Sequence, residues 1–379
     1  MLALSFRRVS VLNRLLSGPF FLKNGHERRF LHGTREPFKV LFFGRDEFSC
    51  SVLEVLHKAP RDIIQGIWVI TTLDQRVGRR GRSLSVAPLK LLSQEINLPT
   101  SFVPNETSEL ASWSPPHPFD QPSPSHLLLT ASFGRAIPTS ILDLFKPSQR
   151  LNIHPSLIPE FRGAAPMERT IEAGLTETGV SVIQMEDIKG GFDVGDVWGQ
   201  RPVTISPTAT FQSIQPILAK EGAELLIQVL RDMLAGEAVS TPQDPALATT
   251  ARLIRPRHCH VDWSTWDAPK VERLHRAFSC RRPLYSALPT SPPTILQLHS
   301  ISLPSPDTPL HKRLTSPGDA IFSPEDRAIV ARCANNTDVH VRLLQRGNRG
   351  SLVAKEWWNG MRPEWLKDGV LKLIRLEEE

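Results

Sequence analysis

Lys39-Val-Leu-Phe-Phe-Gly44 is a short apolar run that stops on a glycine. It lacks the alternation of a half-exposed strand and the length of a helix, and reads as a parallel strand covered on both faces. Working outward, Phe48, Val52, Val55 and Leu56 fall at helical spacing between Glu47 and Lys58, and Ile63–Thr72 reads as a second strand. A polar, glycine-punctuated loop over 74–82, a helix over Ser85–Ile96 and a short link at Leu98-Pro99-Thr100 follow. Strand and helix alternating in this way predict a Rossmann-like parallel sheet with right-handed crossovers. His126–Ala131 and Arg150–His154 extend it as buried strands, Ala165–Ala173 as a helix and Gly179–Met185 as an alternating strand. Ser112–Ser125, with five prolines in fourteen residues, is expected to be an exposed, flexible insertion.

A helix from Thr210 to about Leu234 closes a first domain over 36–235. Gly236–Pro245, with two prolines, opens a linker running to 250. Residues 251–379 change rhythm: Ala320-Ile-Phe322, Ala328–Cys333 and Val339–Leu344 are short strands between turns, which predicts a small β-barrel of the OB-like kind. The fold class is thus α/β, with the barrel as a second module.

The chain has 379 residues, 40% apolar and 22% charged, a globular balance. Its longest uncharged stretch, Pro283–Pro306, is broken by prolines and hydroxyls, so no membrane insertion is expected. The net charge of +6 is unevenly spread. Residues 1–35 hold seven basic residues and one acid, residues 36–250 hold 18 against 24, and residues 251–379 hold 20 against 14. A basic tail module suggests an anionic partner. The first 35 residues, with spaced arginines among Leu and Phe, read as a mitochondrial transit peptide, which predicts delivery to the matrix. Cys50, Cys259, Cys280 and Cys333 are far apart with no CxxC pair, so neither a zinc framework nor a disulfide scaffold is expected.

The chemistry-bearing run is Leu151-Asn-Ile-His-Pro-Ser-Leu-Ile-Pro159, followed by Arg162-Gly-Ala-Ala-Pro166. Side chains alternate along a strand, so Asn152 and His154 share one face at its end, where open α/β sheets bind ligands. An imidazole can relay a proton near neutral pH, and an amide NH₂ can stabilise an oxyanion. Gly190-Gly-Phe-Asp193-Val-Gly-Asp196 supplies a carboxylate on a flexible turn. The residues alone also admit a structural reading: a core histidine, a capping Asn152 and a turn-forming Asp193. Similarly, Arg76, Arg79, Arg80 and Arg82 form either a phosphate-binding loop or a solvated one, and its place after the second strand favours function. Trp263, Trp266, Trp357 and Trp358 read as barrel core.

These motifs resemble the 10-formyltetrahydrofolate-dependent formyltransferases, and within them the mitochondrial methionyl-tRNA branch. The resemblance runs from about Lys39 past Lys355 and includes Phe43-Gly44, Ser132-Phe-Gly134, Asn152/His154, Arg162–Pro166, Glu177-Thr-Gly179, Phe192-Asp193, Val261-Asp-Trp263 and Arg276-Ala-Phe278. It implies formyl transfer from 10-formyltetrahydrofolate, as co-substrate and without a metal, to the α-amine of charged initiator methionyl-tRNA, by a monomer serving mitochondrial translation initiation. Asn152, His154 and Asp193 would be catalytic. Ser156, Leu157, Ile158, Pro159, Phe133 and Gly134 would meet the folate. Arg76, Arg79, Arg80 and Arg82 would contact tRNA, joined by Arg255 and Arg281 among the C-terminal arginines 252, 255, 257, 273, 276, 281 and 282. Two departures stand out: the family's frequent Ala-Tyr-Gly is Ser132-Phe133-Gly134 here, and the turn before Asp193 is longer. The competing readings are a formyltransferase for a sugar-nucleotide amine or glycinamide ribonucleotide, and a non-catalytic RNA-binding relative.

Overall fold

The computed structural model describes residues 36–77, 82–187 and 190–376. The expected leader, Arg79 and Arg80 lie outside the described residues. The first domain carries β1 (Phe38–Gly44), α1 (Glu47–His57), β2 (Ile64–Thr72), β3 (Gln75–Val77), β4 (Ser83–Ser85), α2 (Pro88–Glu95) and β5 (Thr100–Val103). It continues through α3 (Thr107–Leu110), β6 (His126–Ala131), α4 (Thr139–Leu142), β7 (Arg150–His154), α5 (Pro166–Glu172), β8 (Glu177–Gln184), β9 (Val197–Thr204) and α6 (Phe211–Ala235).

The sheet order is β5-β2-β1-β6-β7-β8-β9. Its first five strands are parallel, but β8 and β9 turn antiparallel, so the wholly parallel sheet expected from sequence is a mixed one. Strand β9 escapes sequence reading because it is an edge strand with a proline at 202 and every second residue exposed. β1 is buried on both faces: Val40 and Phe42 point into one core with α1 and α6, Leu41 and Phe43 into the other with Phe119 and Phe133. Asp46 caps α1 through Ser49 N at 3.3 Å, and Thr210 and Ser213 cap α6 reciprocally. α6 crosses close behind β7, where a Cβ on Gly222 would sit 2.5 Å from Ile153 Cγ2.

Three expectations are corrected. The 74–82 loop is flanked by a paired hairpin, β3 on β4, and the helix after it begins only at Pro88. Ser112–Ser125 is packed, since Phe119 is buried against His126 and Trp113 Nε1 donates to Phe102 O. The 236–250 segment is no free spacer. Thr241 pairs with Val197, and 249–251 lie beside 159–165, with Thr249 N on Pro159 O, Arg162 N on Thr249 O and Ala251 N on Arg162 O.

The second domain contains α7 (Ala268–Phe278), β10 (Leu284–Leu288), β11 (Thr294–Ser302), β12 (Asp319–Ser323), β13 (Ala328–Cys333) and β14 (Thr337–Arg346). β15 (Leu352–Val353), α8 (Ala354–Asn359), β16 (Leu366–Lys367) and β17 (Val370–Lys372) complete it. The antiparallel sheet runs β10-β11-β14-β13-β12-β17-β16 and curls until Ala287 and Ile374 exchange both backbone hydrogen bonds at 3.0 Å. Trp263 and Trp357 are buried and Trp266 and Trp358 pack on the same core, as expected. α7 carries Val271, Leu274 and Phe278 into the barrel and packs its outer side on α5.

Candidate active site

β1, β2, β6 and β7 are parallel, so Gly44, Thr72, Ala131 and His154 end on one edge of the sheet. A cleft of about 320 Å³ opens there. Asn152, His154 and Asp193 line it together, with Phe133, Gly134 and the exposed Phe192. The side chains expected to be catalytic therefore converge.

Register explains how. Thr130 on β6 lies beside Asn152 on β7, and its hydroxyl donates to Asn152 Oδ1 at 2.7 Å. That bond sets the amide orientation, so Nδ2 faces Asp193 Oδ1 at 3.3 Å and keeps a second N–H for the cleft. His154 is buried, and its Nε2 lies 3.0 Å from Phe161 O. A carbonyl only accepts, so Nε2 carries the hydrogen and Nδ1 is the working nitrogen. Nδ1 stands 3.7 Å from Asp193 Oδ2, beyond hydrogen-bond length but placed to tighten around a substrate.

Asp193 adopts a left-handed backbone, φ 57°, and is held from three sides. Gly163 N donates to its Oδ2 at 2.9 Å. Gln243 Nε2 donates to Asp193 O at 2.8 Å and Gly195 O at 2.6 Å, while Gln243 Oε1 accepts from Arg162 Nε at 2.9 Å and Nη2 at 2.6 Å. Gly163 has φ +116°, and a Cβ there would meet Ala251 O at 2.9 Å, so glycine alone suits the position. Thr130, Gly163 and Gln243 escape sequence reasoning; their roles depend on strand register and on a segment that reads as linker.

The structure places the other expected site residues as follows. Ser156, Leu157, Ile158 and Pro159 do not line the cleft. Ser156 Oγ donates to Glu160 O, Ser181 Oγ donates to Ser156 O, Gln200 Nε2 donates to Ile158 O, and Leu157 packs on Gly179. The segment is a buttress that aims Phe161 O at His154 and Gly163 N at Asp193. Phe133 and Gly134 do line the cleft, although the Phe133 ring packs edge-on against Phe43. Arg76 and Arg82 are exposed on the hairpin that follows β2, on the cleft edge of the sheet. Arg255 is exposed at the start of the barrel domain.

Arg281, expected on RNA, enters the cleft from the barrel domain. Its Nη1 lies 3.3 Å from Glu168 Oε1 and its Nη2 3.6 Å from Asp46 Oδ2. Arg273 and Arg276 are likewise used between domains, donating to Glu172 O and Ala209 O. Burial pushes the Glu168 carboxyl above its ordinary range, and Arg281 pulls the other way. Among the described residues no three His, Cys, Asp or Glu side chains converge as a metal site, and no helix is long and apolar enough to cross a membrane.

Comparison with known proteins matches this architecture. Residues 38–230 match the Formyl transferase family and residues 253–362 its C-terminal domain. The methionyl-tRNA formyltransferase of Aromatoleum aromaticum is 35% identical over 251 residues, covering 65% of this chain and 73% of that one. That of Pseudomonas fluorescens is 29% identical over 344 residues, covering 89% and 99%. Among solved structures, HypX from Aquifex aeolicus in complex with tetrahydrofolic acid shares the fold, with TM-score 0.53 and 18% identity over 84% of this chain. This chain spans 46% of HypX, about half its length. With both family domains matched in order over a mixed sheet and a curled barrel, the chain belongs to the formyl transferase family.

Proposed function

We infer that the protein transfers the formyl group of 10-formyltetrahydrofolate to the α-amine of methionyl-tRNA. The observation that carries the reading is the convergence of Asn152, His154 and Asp193 on one cleft in a chain similar, over both domains, to methionyl-tRNA formyltransferases. The cleft walls suit a flat, partly apolar folate: Phe133, Ile137, Leu142, Ile183, Met185 and Phe192 surround the polar trio.

The amine nitrogen attacks the formyl carbon, and the carbon–N10 bond then breaks. Three needs arise: a base for the proton leaving the nitrogen, a donor for the oxyanion, and a proton for N10. His154 Nδ1 is the base, since Nε2 is committed to Phe161 O. The second N–H of Asn152 is the oxyanion donor, oriented by Thr130. Asp193 stabilises the imidazolium that forms and so favours uptake of the amine proton by His154, which then gives it to N10 as the carbon–N10 bond breaks.

Initiator tRNA as the preferred substrate is proposed from the arginine-rich run 76–82 and the basic tail module, and import into the mitochondrial matrix from the basic leader; action as a monomer is proposed from the resemblance alone. The test is direct. Purified protein incubated with charged initiator tRNA and 10-formyltetrahydrofolate should yield formylmethionine on alkaline release; none would overturn the reading.

A further inference from the structure

Glu168 lies in the first turn of α5 with its side chain only 4% exposed, yet it lines the cleft. A desolvated carboxylate needs a partner, because burying an unpaired charge is costly. Its cationic partner in the cleft is Arg281, which comes from the other domain and is 47% exposed. The same guanidinium lies over the Phe211 ring and beside Asp46. Asp46 is fixed by its own bonds: Oδ1 accepts from Ser49 N and Oδ2 accepts from Ser132 Oγ at 2.6 Å. The carboxylates are thus the rigid part of this cluster, and the half-exposed cation is its movable part.

The reaction brings in a cation of its own. A chain α-amine titrates at about pH 7.7–8.0, so the amino group of an aminoacyl ester is partly an ammonium near neutrality. It must enter this cleft to reach Asn152 and His154. We propose that Glu168 is the receptor for that α-ammonium, and that Arg281 pairs with Glu168 until the substrate arrives and then yields its place. This rests on the reaction read above. Glu168 takes part in no bond-breaking step: it docks the nitrogen, and the proton leaves through His154. Uncharged tRNA has no such group, so the exchange distinguishes a charged 3′ end from an empty one.

The charged groups facing Glu168 are Arg281, Arg169 on its own helix and Asp46 from the turn before α1. Arg169 is engaged with Glu172 and with Arg252 O. His154 and Asp193 share the cleft, so wild type and variant are compared at each pH.

The experiment measures binding of methionyl-tRNA and of uncharged tRNA to wild type and Glu168→Gln between pH 6 and 8.5. The variant should bind methionyl-tRNA about 10-fold more weakly at pH 6, the usual scale for losing a charged hydrogen bond. The loss should shrink as the amine deprotonates, while uncharged tRNA and the folate KM stay unchanged. Arg281→Ala removes the competing cation, so the ratio of charged to uncharged affinity should rise. If Glu168→Gln does not fold, Glu168→Asp keeps the charge at shorter reach and should show a smaller, still pH-dependent loss. Equal weakening of both tRNAs, or a loss independent of pH, overturns the proposal. A wild type that does not formylate methionyl-tRNA overturns the underlying reading instead.

Discussion

Gln243→Ala should disable the enzyme from a position outside the catalytic trio. The Gln243 side chain makes four hydrogen bonds at once, two accepted from Arg162 and two donated to the carbonyls of Asp193 and Gly195. All four are part-buried, so water replaces them incompletely, and the cost to stability falls at about 1–3 kcal/mol. At about 2–4 °C per kcal/mol, Tm drops only by several degrees. The larger effect is on rate. Asp193 sits in a left-handed conformation between glycine-containing stretches, and without Gln243 its main-chain carbonyl is untethered, leaving only the carboxylate's bonds from Gly163 N and Asn152 Nδ2. A displacement of about 1 Å in such a group costs on the order of 100-fold. The expected result is a kcat lowered about 100-fold with the folate KM within roughly threefold of wild type.

Gln243→Glu separates positioning from stability. A carboxylate keeps both bonds to Arg162 and strengthens them, but it sets acceptor oxygens against two carbonyls where Nε2 had donated. Its Tm should stay near wild type while kcat falls at least as far as in the alanine variant. Steady-state formylation kinetics and thermal melts on the three proteins decide the matter. Wild-type kcat in Gln243→Glu would refute the reasoning, as would losses that merely track the folded fraction.

Four further outcomes are expected. Asp193→Asn should lower kcat by at least ~100-fold with little change in KM, checked by single-turnover formylation. Replacing Arg79, Arg80 and Arg82 together by Ala should raise KM for charged tRNA and flatten the salt dependence of binding without affecting folate, read from affinities at several ionic strengths. A 36–379 fragment should formylate in vitro like the full chain but fail to accumulate in mitochondria, checked by imaging tagged versions in cells. His275, beside His299 and Arg276, is lowered by burial from 6.5 to about 4. The unfolded chain therefore binds its proton first, so stability is greatest above pH 6.5 and falls between 6.5 and about 4. The loss reaches at most about 3 kcal/mol and should be visible in urea titrations across that window and reduced in His275→Gln.

The parts of the fold legible in sequence are those whose burial is settled locally. β6 is readable to the residue because both its faces meet core, leaving an apolar run bounded by polar turns, and β7 because its Leu151 and Ile153 alternate with the polar Arg150, Asn152 and His154. β9 is not, because its outward face is polar and its partner was already assigned. The same division runs through the site. Asn152 and His154 are two apart on one strand, so alternation alone puts them on one face. Asp193 reaches them across the sheet, and what fixes it, Thr130 through Asn152 and Arg162 through Gln243, depends on which strands neighbour each other and where 249–251 is laid. The segment that reads as linker is polar and proline-containing because it runs over the surface, yet its backbone pairs with the loop that carries Gly163. The placement of Ser156–Pro159 has the same root. Spacing marks a loop next to the chemistry, and only the structure shows its carbonyls tied to Ser181 and Gln200 with 156–159 outside the cleft lining. Sequence therefore marks the candidate reacting groups, and the tertiary tethers decide how far apart they stand. In this cleft that distance is the 3.7 Å between His154 Nδ1 and Asp193 Oδ2, held by a glutamine fifty residues downstream of the aspartate.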